Sequence, residues 1–135
     1  FAFDFPPQDV RIEYRRADGA LDVGHVNVIS IVPYLVMKAA ALGRGKPKDA
    51  YDIYVTITNY PGGVKALVAE FLPYKDRELV RRMCEKLSEK FASPEHAGPM
   101  DIVSFLDIRD EDGRAGTMQD SYQRVHYLVN ALTNN

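Results

Sequence analysis

Hydrophobic and polar positions change their period early in this chain, and the change divides it. Val10, Ile12 and Tyr14 alternate with Arg11, Glu13 and Arg15. That period of two predicts a strand with one wet face. Asp18-Gly19 is a turn signal. A stretch rich in Val and Ile follows over roughly residues 21–31, with Val26 and Val28 on one face. Together they predict a β-hairpin, residues 10–16 with roughly residues 23–31. A two-stranded hairpin is marginal alone, so it is expected to extend a larger sheet or to pack on helices.

From Val32 onward the period is helical. Ser30 is placed to cap a first helix with Pro33 in its first turn. Residues 34–42 include three consecutive alanines, and Gly43 ends the run. Arg44-Gly45-Lys46-Pro47-Lys48 is a short basic loop. Pro47 starts a second helix, with Ala50, Ile53, Tyr54 and Ile57 at i, i+3, i+4 and i+7. Asn59-Tyr60-Pro61-Gly62-Gly63 stops it. Further helices are predicted over residues 64–71, 76–91 and 100–106. An acidic turn, residues 107–116, leads to a last helix with Tyr122, Val125, Val129 and Leu132 inward. The architecture expected is α+β: a small hairpin or sheet edge followed by a bundle of five to six helices. It is read as one domain, residues 1–135, with a hairpin region (1–31) and a helical region (32–135).

Composition narrows this little. The 135 residues suit one domain. With 17 basic and 19 acidic residues, the net charge of −2 gives no global pull toward nucleic acid. The single cysteine, Cys84, forbids an internal disulfide and agrees with a cytoplasmic setting. No uncharged apolar run reaches the roughly 18 residues a membrane span needs. The chain opens on Phe1 and not Met, which reads as the middle of a longer polypeptide.

The densest chemistry is Lys38, Arg44, Lys46, Lys48, Asp49 and Asp52. Lys38 interrupts an apolar helix, so its ammonium must reach a carboxylate, a phosphate or water. Asp49 and Asp52 stand on the next helix, within plausible reach. The plain alternatives are a lysine that snorkels to solvent or a structural ion pair. Asp49 also suits the first turn of a helix, and Lys48 with Asp52 permits a surface pair. His25, His96 and His126 are scattered, so zinc spacing is absent. Cys84 falls on an apolar stripe and reads as core. Asp107, Asp110, Glu111 and Asp112 lack the spacing of a calcium loop.

The run Val32-Pro-Tyr-Leu-Val-Met-Lys-Ala-Ala-Ala-Leu-Gly-Arg-Gly-Lys-Pro-Lys-Asp-Ala-Tyr-Asp-Ile-Tyr resembles a signature of the AbiEii/AbiGii nucleotidyltransferase family. That family carries a helical Lys, then four or five residues, then an Arg, and soon afterward a Lys/Arg-Asp-x-Tyr-Asp-Ile/Leu-Tyr helix. Asn59-Tyr60-Pro61-Gly62-Gly63 and the stretch from Phe91 to Pro99 resemble one branch of it. The resemblance implies the C-terminal part of a polymerase-β-like enzyme, often the toxin of a toxin–antitoxin pair. Such an enzyme moves a nucleoside monophosphate from a nucleoside triphosphate to an acceptor such as transfer RNA. Lys38 and Asp49 would be the catalytic residues in this chain. Arg44, Lys46 and Lys48 would take the phosphates, with Asp52 in support. Magnesium and the nucleotide would belong to the whole enzyme.

The family's Gly-Ser element with its Asp-x-Asp strand is absent from these 135 residues. Glu13 offers a carboxylate on the first strand, but Glu-Tyr-Arg-Arg matches the family poorly. The isolated chain is therefore expected to be inactive and to bind no cofactor. Its expected partners are a missing N-terminal catalytic half or an antitoxin, with an RNA acceptor. The competing reading is a non-catalytic module that binds protein or RNA.

Overall fold

Glycines and prolines place most of the boundaries in this molecule. The computed structural model describes the backbone of residues 8–15, 21–28, 30–44 and 46–134. Side chains are described for residues 30–44 and 46–134. The Asp18-Gly19 turn, the Phe1 opening, the Glu13 side chain and Gly45 of the basic loop lie outside the described residues.

The chain divides into two units, Phe1–Tyr34 and Leu35–Asn135. In the first, β1 (Gln8–Arg15) pairs antiparallel with β2 (Leu21–Val28). The register sets Val10 opposite Val26 and Ile12 opposite Gly24. The second strand begins at Leu21 and stops at Val28, earlier than the hydrophobic run suggested.

α1 (Ile31–Ala41) opens directly after Ser30, whose carbonyl accepts from the Tyr34 amide at 3.1 Å. Gly43 follows it at φ +89°, a conformation that favours glycine and closes the helix. α2 (Pro47–Asn59) starts on Pro47, whose missing N–H costs nothing in a first turn. Tyr60 leaves it in an extended conformation, and Gly62 at φ +88° turns the chain into α3 (Gly63–Phe71). A 3-10 turn over Leu72–Tyr74 leads to α4 (Glu78–Lys90). α5 (Ala97–Phe105) and α6 (Glu111–Thr133) complete the bundle.

α6 is the spine of the second unit and packs on α2, α3, α4 and α5. α5 also lies against α2. The core is contributed by Ile53, Ile57, Leu67, Phe71, Val80, Leu87, Ile102, Val103, Val125 and Leu128, none more than 2% exposed. Burying side chains of this size stabilises by roughly 1.5–3 kcal/mol each. Gly98 lets α5 close on Phe91, because a Cβ there would stand 2.5 Å from the Phe91 ring.

The expected α+β class is corrected by this arrangement. Every buried apolar residue among the described side chains lies in a helix or directly beside one. The strands form only a two-stranded ladder within the first unit, and no larger sheet exists among the described residues for it to edge. A two-stranded ribbon encloses no core, so the fold class is set by the helices, and the packed unit is a helical bundle.

Two local expectations also shift. α5 begins at Ala97, three residues before Met100, because Gly98 and Pro99 are tolerated in a first turn. The acidic stretch 107–116 is a turn only as far as Asp110. Asp110 Oδ2 accepts the Gly113 amide at 2.6 Å and caps α6, so Glu111 and Asp112 join the first turn of the helix. Carboxylates there meet exposed amides and the positive end of the helix dipole.

Candidate functional site

Lys38 lies one turn from the end of α1, on a helix otherwise composed of apolar residues and alanine. Its neighbours Leu35 and Ala39 are buried, while Met37 is exposed. The Lys38 side chain leaves this apolar surface toward α2. Its Nζ donates to Asp52 Oδ2 at 2.8 Å and stands 3.6 Å from Asp49 Oδ1. The side chains of Lys38, Asp49 and Asp52 are 28%, 14% and 17% exposed. The charge is thus largely removed from water and met by two carboxylates, which is what makes a partly buried lysine tolerable.

Helical geometry explains why both carboxylates arrive. Asp49 and Asp52 are three residues apart, hence neighbours on one flank of α2. Ala50, Ile53 and Ile57 occupy the adjoining stripe and are buried. Thr56 continues the polar flank and donates from Oγ1 to the Asp52 carbonyl at 2.7 Å. The Lys48–Asp52 surface pair that spacing allows is not formed among the described residues, because Asp52 turns to Lys38 instead.

Arg44, Lys46 and Lys48 are all exposed on the connection between α1 and α2. None of the three is within ion-pair distance of a carboxylate among the described residues. Lys46 is the N-cap of α2, in extended conformation and without a side-chain cap. The predicted residues therefore separate into two sets: a closed cluster of Lys38, Asp49 and Asp52, and an open set of three cations around the start of a helix.

The cluster does not suit magnesium. Asp49 and Asp52 converge on an ammonium that takes the position a divalent ion would need, and magnesium asks for oxygen ligands in octahedral order. Among the described residues, no three of His, Cys, Asp and Glu are gathered closely enough to hold a metal ion.

One network escaped the spacing arguments. On the other flank of α2, Tyr54 Oη donates to Asp120 Oδ2 of α6. Arg124 Nε donates to the same oxygen at 2.9 Å. Burial and the Asp120 carboxylate push the Tyr54 hydroxyl from 10.0 up to about 12, with Arg124 opposing. The sequence carried the Asp120–Arg124 spacing of four but nothing to join it to Tyr54, 66 residues away.

Other chemistry-bearing groups are accounted for locally. Ser93 Oγ lies 2.6 Å from His96 Nδ1 in an exposed turn, and the Glu95 amide donates to the same hydroxyl. Among the described residues, no carboxylate orients that imidazole, so the pair lacks the third member of a nucleophilic triad. Burial and then Glu85 raise the Cys84 thiol to about 11, which keeps it protonated in the core. A groove of about 610 Å³ between α4 and the end of α6 is lined by Lys75, Arg81, Glu85 and Leu132, away from the predicted cluster. Among the described residues, no helix is long and apolar enough to cross a membrane.

Comparison with models of protein families, with curated proteins and with solved structures finds no match.

Proposed function

We propose that this chain is the helical part of a nucleotidyltransferase-like protein, and that the connection between α1 and α2 is its phosphate-facing edge. The observation that carries this reading is the approach of Lys38 to Asp52 at 2.8 Å and to Asp49 at 3.6 Å. That contact joins the two helices on either side of the connection. It leaves Arg44, Lys46 and Lys48 exposed along it. Cations beside the amides of a helix N-terminus suit the phosphates of a nucleoside triphosphate. Lys38 and Asp49 lie at the edge of the site, with Asp52 holding the Lys38 ammonium. The carboxylates that would hold magnesium for the transfer step belong to an Asp-x-Asp element outside these residues. The chain alone therefore carries no transferase activity, and the acceptor, with transfer RNA as the class implied by resemblance, meets the whole enzyme.

The exposure of the same three cations favours one other reading, a non-catalytic module that binds RNA through its backbone. Magnetic resonance of the lysine and arginine side chains separates the two. Under the first reading, each nucleoside triphosphate shifts Arg44, Lys46 and Lys48 in the absence of RNA, and reversing the charge of Lys46 and Lys48 removes the response. No shift at millimolar nucleotide overturns it. Shifts with a short RNA but not with nucleotide favour the module. Transfer of labelled nucleotide to transfer RNA by the chain alone, lost on Lys38→Ala, would refute the claim of inactivity.

A further inference from the structure

A second feature of α2 adjoins the basic connection, and it is aromatic. The Tyr51 ring meets the ring of Phe105 at the end of α5, with centroids 4.7 Å apart and planes tilted by 34°. Tyr51 is partly buried, yet Phe105 is 44% exposed. Tyr51 thus backs the Phe105 ring and leaves much of it in water. The support is rigid, because α2 and α5 are fixed to the core by Ile53, Ile102 and Val103. An exposed ring held in this way offers an open π face.

Positive charge gathers beside this pair. Lys48 is exposed three residues before Tyr51 and is its neighbour on the surface of α2. Helical order sets Lys48 between Tyr51 and Asp52 around the axis. The aromatic pair therefore stands across Lys48 from the carboxylates that hold Lys38. Arg44 and Lys46 precede it on the connection. Lys90, from the end of α4, reaches the same connection, since a Cβ on Gly43 would stand 3.4 Å from its Nζ. The carboxylates around the pair are met by other groups. Burial raises the Asp101 carboxyl, one turn before Phe105, and Lys90 opposes the rise. Asp107 accepts from Arg109 Nε and Nη2 at 3.1 Å each. Asp120 is held by Tyr54 and Arg124.

We propose that the Tyr51–Phe105 pair is the base-stacking platform for a nucleoside triphosphate whose phosphates lie on Arg44, Lys46 and Lys48. The proposal rests on reading the connection as a phosphate-facing edge, and it adds the half of the ligand that cations do not recognise. Two chemistries side by side select this occupant. Exposed cations with no carboxylate in ion-pair distance among the described residues attract phosphate. An open aromatic face attracts a flat π surface. A nucleotide joins both in one molecule, with its ribose spanning the single helical turn from Tyr51 to Lys48. An aliphatic or neutral ligand would leave the cations unmet, and inorganic phosphate would leave the ring bare. Every base has a π face, so stacking on Phe105 tells a nucleotide from a bare polyphosphate and does not tell one base from another.

Calorimetry of the 135-residue chain with ATP and, separately, with inorganic triphosphate tests this. ATP should bind about tenfold more tightly, the scale of one base on one aromatic ring. Phe105→Ala should remove that advantage and leave the affinity for inorganic triphosphate unchanged. Phe105→Trp should keep it, with the indole fluorescence quenched by ATP and not by inorganic triphosphate, since the native chain has no tryptophan. Leu72→Ala, at a similarly exposed apolar residue on the 3-10 turn, should alter neither affinity. Equal affinities of the native chain for the two ligands overturn the platform while the phosphate-facing edge stands. Binding of neither ligand at millimolar concentration overturns both. A loss in Phe105→Ala that falls equally on the two ligands also overturns the platform, because the ring would then act only through the fold.

Discussion

The two flanks of α2 solve the same problem in different ways. Each lies beside the buried stripe of Ala50, Ile53 and Ile57 and must tie polar side chains to a neighbouring helix. On one flank, Asp49 and Asp52 share the Lys38 ammonium, and Thr56 bonds back to the Asp52 carbonyl. On the other, Tyr54 reaches Asp120, which Arg124 also holds. One turn further along that flank, Thr58 Oγ1 is buried without a partner among the described residues. The first flank is a charged contact between helices adjacent in the chain. The second is a neutral donor on a carboxylate 66 residues away, with an orphan hydroxyl beside it. Charge that is partly buried and paired should be the costlier to break, and an unpaired hydroxyl the easiest to improve.

The largest effect is therefore expected on the first flank. Lys38→Met keeps the length of the side chain and removes its charge, leaving Asp49 and Asp52 side by side with no cation. A loss of about 2 kcal/mol in unfolding free energy is expected, the scale of a hydrogen bond to a charged group. Adding Asp52→Asn to Lys38→Met should recover part of it, since one unpaired carboxylate is then gone. Denaturant unfolding measures both. Equal stability of Lys38→Met and the native chain would show that the cluster is solvated and energetically idle.

Removal of the Tyr54 hydroxyl should cost less, about 1 kcal/mol for Tyr54→Phe, as for a neutral donor. Its pH dependence has a definite sign. The folded hydroxyl titrates near 12 against 10.0 for the unfolded chain. Its contribution is complete below pH 10 and is lost as pH rises toward 12. Ultraviolet titration should find a late-ionising tyrosine that is absent from Tyr54→Phe. If the two titration curves superimpose, the Asp120 contact does not hold in solution.

Thr58→Val should act in the opposite direction. The substitution exchanges a buried, unpaired hydroxyl for a methyl group of similar size. A gain of about 1 kcal/mol is expected, the lower end of what an unsatisfied polar group costs. An unchanged or lower stability would mean that the hydroxyl has a partner such as water.

The contrast between the flanks also marks what the chain made readable. Lys38 amid apolar residues demanded a partner, and two aspartates on the very next helix offered one within a short loop. Local spacing sufficed because the two helices are consecutive. Tyr54 and Asp120 carried no such clue, since their contact depends on how α6 packs across α2. Helix positions were legible from apolar periodicity and from Gly43, Pro47 and Gly62. The class was misjudged because alternation in β1 and β2 says that strands form, not that they share a core with the helices. The acidic run after Asp107 misled for a related reason. Carboxylates read as a solvated turn are equally suited to a helix start, and the Asp110 cap decides in favour of helix.

The smallest effect separates distance from environment. Arg82 Nη2 donates to Glu78 Oε1 at 2.7 Å, against 2.8 Å between Lys38 and Asp52. Yet the Arg82 and Glu78 side chains are 66% and 76% exposed, against 28% and 17% for Lys38 and Asp52. Water screens the exposed pair in the native chain and solvates both groups after truncation, so little is lost. Arg82→Ala should change stability by about 0.3 kcal/mol, and the change should fade with added salt. The Lys38→Met loss should persist under the same salt, because its charges are largely withdrawn from solvent. An Arg82→Ala loss as large as that of Lys38→Met would break the comparison, since burial would then not be what distinguishes two ion pairs of nearly equal length.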